Sequence, residues 1–159
     1  MLFSEFNNGF NFNYMKRIFN TNYNHQYLDL ALLILRVGIS IFMFTHGLPK
    51  LNGLLDGGEV QFMDPIGLGM LPSLLLAIFA EVICSIFVLF GLGTRLAVIP
   101  LIITMLVAIF IAHAEDGFGK QEMAAHYLLV YLVLLITGSG KLSFDYLISR
   151  KLNRSSRKY

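Results

Sequence analysis

The sequence predicts an all-α fold: an integral membrane four-helix bundle with both termini cytoplasmic. Three observations carry this. Of 159 residues, 56% are hydrophobic and only 14% charged, with a mean hydropathy of +0.67, a balance foreign to ordinary soluble domains. Four apolar runs have helix length and lack strand-like alternation. The basic residues gather at one set of helix ends.

Residues 1–27 are rich in Asn and Phe, with Lys16 and Arg17 among them. They contain no apolar run of signal-peptide length followed by a small-residue cleavage site. They are read as a disordered or interfacial cytoplasmic tail. The bundle domain is placed at 28–142. Its first helix, about 29–48, comes from the run LALLILRVGISIFMFTHGL. The second, 71–92, opens with Pro72 where a helix tolerates proline. The third, 95–114, carries Pro100 near its first turn, where the missing N–H costs little. The fourth, 122–140, is apolar from Met123 to Thr137. Backbone polar groups in lipid must be satisfied internally, so each run is a helix. Residues 143–159 form a basic tail whose SFDYLISRKL stretch predicts a short surface helix capped by Ser143.

Four spans put both termini on one side. On that side lie Lys16, Arg17, Arg95, Lys141 and the tail residues Arg150, Lys151, Arg154, Arg157 and Lys158, nine in all, against Lys50 and Lys120 opposite. Basic loops stay cytoplasmic, so the loops at 49–70 (Asp56, Glu59, Asp64) and 115–122 (Glu115, Asp116, Glu122) face outward. The expected location is a bacterial inner membrane, multi-pass. The lipid bilayer is the expected partner, and no nucleic-acid partner is expected.

Two charges interrupt the spans. Arg36 lies in the first and Glu81 in the second, where an ionised group costs roughly 2.5–3.5 kcal/mol on insertion scales. Counted from the cytoplasmic ends of their runs, the two stand about 9 Å and about 16 Å deep, about 7 Å apart in depth. A cross-helix Arg36–Glu81 ion pair is therefore expected, with Asp29 as a competing partner for Arg36. Arg36 shares a helical face with Asp29, Ser40, Met43 and Gly47. Such a pair either fixes helix register or lines a ligand or proton path.

A second cluster is expected at the outward ends: His46, His113, Glu122 and His126. Three imidazoles and a carboxylate from three helices have the chemistry to hold a divalent metal or relay protons. No HxxxH or ExxH pair occurs, however, and interfacial histidines commonly meet water and headgroups, so no metal is expected. The lone Cys84 excludes an intrachain disulfide and a CxxC pair. Neither a CxxCH haem signature nor a flavin fingerprint is present.

These residues carry a family resemblance. The run Leu35–Leu51, LRVGISIFMFTHGLPKL, is similar to the first-helix signature of the DoxX family, with His46, Gly47 and Lys50 as its HGxxK core. The second helix resembles the family's Ala-Glu pair and Gly-x-x-Thr-Arg turn, here Ala80, Glu81, Gly91, Gly93, Thr94 and Arg95. The fourth resembles a Glu-led helix ending in Gly-x-Gly and Ser-x-Asp, here Glu122, Gly138, Gly140, Ser143 and Asp145. The match runs in order over residues 28–149. It implies a four-helix inner-membrane protein, some relatives of which are subunits of thiosulfate:quinone oxidoreductases or of thiol and oxidative-stress complexes.

Three functions compete. In the first, the chain is a subunit of a redox complex, with Arg36 and Glu81 lining a quinone or anionic sulfur site or a proton path, and with electrons supplied by a partner protein or cofactor outside the chain. In the second it is a non-catalytic membrane anchor, alone or as a homo-oligomer. The third, a small transporter, is disfavoured because no internal repeat supports alternating access.

Overall fold

The computed structural model describes residues 19, 22, 24–57 and 62–155. Most of the 1–27 tail, Glu59, Arg157 and Lys158 lie outside the described residues. Five helices and no strand occur among the described residues: α1 (His25–Leu55), α2 (Met70–Phe90), α3 (Thr94–Ala112), α4 (Gly117–Thr137) and α5 (Phe144–Ser155). The first three are long and apolar enough to cross a membrane. The 21-residue α4 opens on the polar stretch GFGKQE and becomes apolar only from Met123.

The four long helices pack around Met43, Val88, Val98, Leu101, Tyr131 and Leu134, all at most 1% exposed. The outside is just as apolar. Ile34, Phe42, Leu76, Leu96, Phe110 and Ile136 each leave more than half their surface uncovered, as expected where lipid replaces water as solvent.

The largest departure from the expected boundaries is α1. Pro49 argues for a stop at Leu48, yet the helix continues to Leu55. A proline inside a membrane helix is tolerated where packing compensates for the lost hydrogen bond. Here the extension packs Leu51 and Leu54 against Leu74, Ile78 and Val82 and brings Lys50 to Glu81. At its other end α1 begins at His25, where Asn24 Oδ1 accepts from Gln26 N at 3.0 Å. Helix α4 likewise starts earlier than expected, at Gly117.

Both middle helices contain a widened turn. Phe79–Cys84 in α2 and Ala108–Ala112 in α3 are π-helical. Such bulges concentrate at functional sites because the inserted residue re-aims its neighbours. The loop before α2 is pinned by Asp64, which accepts from Leu68 N (3.0 Å), Gly69 N (2.8 Å) and Ser73 Oγ (2.9 Å). These bonds, that from Gly69 foremost, hold the Asp64 carboxyl below the usual carboxylate range. The short α5 has the expected cap: Ser143 Oγ accepts from Tyr146 N at 3.2 Å.

Candidate functional site

Antiparallel α1 and α2 touch closely at two glycines. A Cβ on Gly47 would stand 2.9 Å from Glu81 Cβ and 2.8 Å from Val82 Cγ2. A Cβ on Gly91 would stand 2.0 Å from Arg36 Nη1. These contacts fix the register. Glu81 is level with Gly47, while Arg36 is level with the end of α2.

The expected Arg36–Glu81 pair is therefore corrected. Gly47 lies eleven residues beyond Arg36 on α1, about 16 Å along the axis. Depth counted from the edges of the apolar runs misplaced Arg36, because α1 overhangs the end of α2. Arg36 is fully buried and donates to Leu142 O at 2.6 Å and, at 3.5 Å, to Val88 O. The Asp145 carboxylate acts on it electrostatically from beyond ion-pair distance. Asp29 serves the same end differently, accepting from Lys141 N at 2.8 Å.

Glu81 pairs instead with Lys50, Nζ to Oε1 at 2.5 Å. The carboxylate side chain is 4% exposed and the ammonium side chain 29%. Lys50 Nζ also lies 5.6 Å from the centroid of the Phe62 ring, within cation–π range. Only one carboxylate oxygen is used: Glu81 Oε2 is buried without a hydrogen-bond partner among the described residues. An orphaned buried carboxylate oxygen is costly, so this atom is the chemically unfinished part of the site.

The pair forms a wall between two cavities. One, of about 170 Å³, is lined by His46, Lys50, Glu81, His113, Lys120 and Tyr127, among others. The other, of about 480 Å³, is a mostly apolar groove between α2 and α3, lined by Phe62, Ile66, Leu76, Phe79, Ile103 and Val107 among others, with Lys50 and Glu81 at its polar end. The π-helical turns border it through Ala80, Glu81, Ala108 and Ala112. Together the two spaces offer a charged, hydrogen-bonding head region and an apolar trough.

The outward cluster is only partly assembled. His46 and His113 line the smaller cavity, and His46 meets the Tyr127 ring edge-on at 5.8 Å between centroids. His113 Nδ1 contacts Asp116 at 2.8 Å, and Lys120 donates to the same carboxylate at 2.9 Å. These bonds, that from His113 foremost, hold Asp116 below the usual carboxylate range. Glu122 and His126 are exposed on another face of α4, and His126 Nδ1 bonds the Glu122 carbonyl at 2.8 Å. Among the described residues no group of three or more His, Cys, Asp or Glu is arranged to hold a metal. The four expected residues therefore do not converge, because α4 turns two of them outward.

Lys50 is the site residue that the sequence reading assigned only to a motif and to the outer loop. Its signal was present: positions 36, 40, 43, 47 and 50 continue one helical stripe, which a first helix bounded at 48 leaves incomplete.

The DoxX family model matches residues 31–114, which holds Arg36, His46, Lys50, Glu81 and His113. The chain belongs to the DoxX family. This DoxX chain is 35% identical over 120 residues to a Bacillus subtilis protein named putative oxidoreductase CatD, covering 74% of the chain and 86% of that relative. It is 31% identical over 128 residues to an uncharacterized Haemophilus influenzae protein, covering 76% and 85%. It is 29% identical over 129 residues to the Escherichia coli inner membrane protein YqjF, covering 77% and 95%. No solved structure matches it significantly. With its apolar helices and these relatives, it is a multi-pass inner-membrane protein.

Proposed function

We propose that this DoxX chain is the membrane subunit of a redox system and binds a quinone-like amphiphile at the Lys50–Glu81 pair. The single observation behind this reading is the position of that pair. A buried carboxylate with one unpartnered oxygen stands beside an ammonium at the polar end of an apolar groove. Ligand sites are mostly apolar with a few convergent polar groups. A ring carbonyl would accept from Lys50, a ring hydroxyl would donate to Glu81, and an isoprenoid tail would lie along Leu76, Phe79 and Ile103. The name of the B. subtilis relative points toward redox chemistry. This chain's only cysteine is the buried Cys84, so the electrons are assigned to a partner protein.

The test is the quinone content of protein purified in mild detergent. Glu81→Gln and Lys50→Gln are each expected to lower bound quinone at least tenfold. The double variant keeps a neutral hydrogen bond across the pair, and it serves as the folded control by size-exclusion profile. Equal quinone content in the wild type and the double variant would overturn the reading and favour a non-catalytic anchor.

We further propose that residues 28–142 form the bundle domain, with both termini in the cytoplasm and 143–159 as a cytoplasmic tail. The support is the basic asymmetry: Arg95, Lys141, Arg150, Lys151 and Arg154 lie at the Arg36 end, against Lys50 and Lys120 at the other. A cysteine placed at Glu115 should react with an impermeant maleimide in intact spheroplasts, and one at Arg150 only after lysis. The reverse pattern would invert the topology.

A further inference from the structure

At the Arg36 end of the bundle, away from Lys50, a cavity of about 370 Å³ opens between the start of α3, the end of α4 and the first turns of α5. Its wall is polar. Arg95 of α3, Thr137 and Ser139 at the end of α4, and Tyr146 and Ser149 of α5 all line it. Arg95 is exposed yet held in place. Its Nη2 donates to Ile136 O at 3.1 Å, and the guanidinium lies against the turn at Gly138, where an added Cβ would stand 3.4 Å from Nε. A guanidinium carries five N–H donors, so most remain for a ligand. The Asp145 carboxylate borders the same cavity, but its oxygens already accept from Gly93 N, Thr94 N and Ser139 Oγ.

A second cavity, apolar and about 470 Å³ in volume, adjoins the first. Gly93, Leu96 and Asp145 border both. From there the groove runs between α2 and α3, past Phe87 to Phe79 and Pro100. Leu96, Phe79 and Phe87 leave 75%, 48% and 41% of their surface uncovered, so the groove faces lipid. Phe79 lies eleven residues inside Phe90, the last residue of α2, about 16 Å in depth. That is roughly half the ~30 Å hydrocarbon thickness, the reach of the acyl chains of one leaflet. A cation and hydroxyls at the helix ends, followed by an apolar trough of leaflet depth, match the build of a phospholipid.

We propose that the two joined cavities bind one acidic phospholipid from the leaflet at the Arg36 end. Its phosphodiester meets the Arg95 guanidinium, whose planar fork suits paired phosphate oxygens. The hydroxyls of Tyr146 and Ser149 donate to the oxygens that Arg95 leaves open. One acyl chain lies in the groove against Leu96 and Phe87. Charge complementarity selects an acidic headgroup, because Arg95, Lys141, Arg150, Lys151 and Arg154 all gather at this end, and basic pockets between membrane helices attract such lipids. Tyr146 and Ser149 border the head cavity and Ile148 borders the groove, so the bound lipid joins α5 to α2 and α3. The site lies at the opposite end of the bundle from Lys50 and does not require the quinone reading.

Native mass spectrometry of the delipidated full chain in mild detergent tests this. Dioleoyl phosphatidylglycerol should be retained as a single copy, about tenfold or more tightly than dioleoylglycerol, which has the same chains and no phosphate. Glycerol 1-phosphate, with the phosphate and no chains, should leave no adduct at the same concentration. Arg95→Gln should weaken phosphatidylglycerol binding about tenfold or more. Arg150 lines neither cavity, and Arg150→Gln should bind within about twofold of wild type. An equal loss in the two variants would mean diffuse attraction to a basic surface and would overturn the proposal. Equal wild-type retention of phosphatidylglycerol and dioleoylglycerol would overturn it too. So would glycerol 1-phosphate binding as tightly as the phospholipid, which would make this a site for soluble phosphates. The wild-type comparisons decide the matter even if Arg95→Gln does not fold.

Discussion

Gly91→Ala is expected to abolish recovery of folded protein. Gly91 closes α2 with φ of +65°. Its N–H donates to Val88 O at 3.1 Å and that of Leu92 to Phe87 O at 2.9 Å, the paired bonds of a Schellman ending. A left-handed conformation costs a non-glycine residue about 1–2 kcal/mol. The larger cost is spatial. The added Cβ would fall 2.0 Å from Arg36 Nη1 and 2.6 Å from Ser143 Cβ, and the guanidinium has nowhere to retreat, being fully buried. Displacing it breaks the charge-assisted bond to Leu142 O, a loss of about 1.5–3 kcal/mol, to which the steric overlap adds. The sum is a large part of the stability of a typical domain, about 5–15 kcal/mol. Gly93→Ala is the matched control. Gly93 also has positive φ, +57°, but nothing lies within 4 Å of a Cβ there among the described residues. It should cost only the backbone strain and yield a monodisperse peak in mild detergent. A folded Gly91→Ala with wild-type thermal stability would show that Arg36 does not need its seat.

The comparison of Gly91 with Glu81 also shows what a linear sequence can convey. That long apolar helices exist, that α2 and α3 meet in a tight turn near 92–95, and that Arg36 and Glu81 are interior all follow from hydropathy and periodicity, since these are local properties. Which interior charge meets which depends on register. Register is set by where backbones approach most closely, here at Gly47 against Glu81 and at Gly91 against Arg36. Periodicity puts Gly47 on the interior stripe but marks neither glycine as the point where the backbones meet. Pro49 added a second obstacle, because a local rule ends the helix just before Lys50, while packing of Leu51 and Leu54 on α2 carries it on. The outer histidines failed for a related reason. His46 and His113 line the smaller cavity while Glu122 and His126 are exposed on another face, a rotational setting of α4 that the i,i+4 spacing leaves open.

Asp145→Ala is expected to produce the second largest loss, about 3–5 kcal/mol at about 1.5–3 kcal/mol per hydrogen bond to a charged group, reduced by water entering a partly exposed position. The first turn of α5 acts as a clasp on the start of α3. Gly93 leads into that helix in a left-handed conformation with no side-chain cap of its own, which leaves the first N–H groups of α3 without partners. Asp145 meets this need from fifty residues away in sequence: Oδ1 accepts from Gly93 N at 2.6 Å, and Oδ2 from Thr94 N and Ser139 Oγ, each at 3.1 Å. Its charge also lies at the positive end of the α3 dipole and opposes Arg36. Its own N–H donates to Gly91 O at 2.9 Å, so the same residue ties both sides of the α2–α3 turn. Asp145→Asn separates cap from charge. The amide fills the same space and keeps one acceptor, but its NH₂ must face either Gly93 N–H or Thr94 N–H, donor against donor. Roughly half the alanine cost should therefore remain. Unfolding in mixed micelles by SDS titration gives the order wild type, Asn, Ala. Hydrogen exchange at Gly93 and Thr94 should accelerate in both variants. An Asn variant indistinguishable from wild type by both measurements would mean that the Arg36 end is held by shape and packing, with the carboxylate charge contributing nothing.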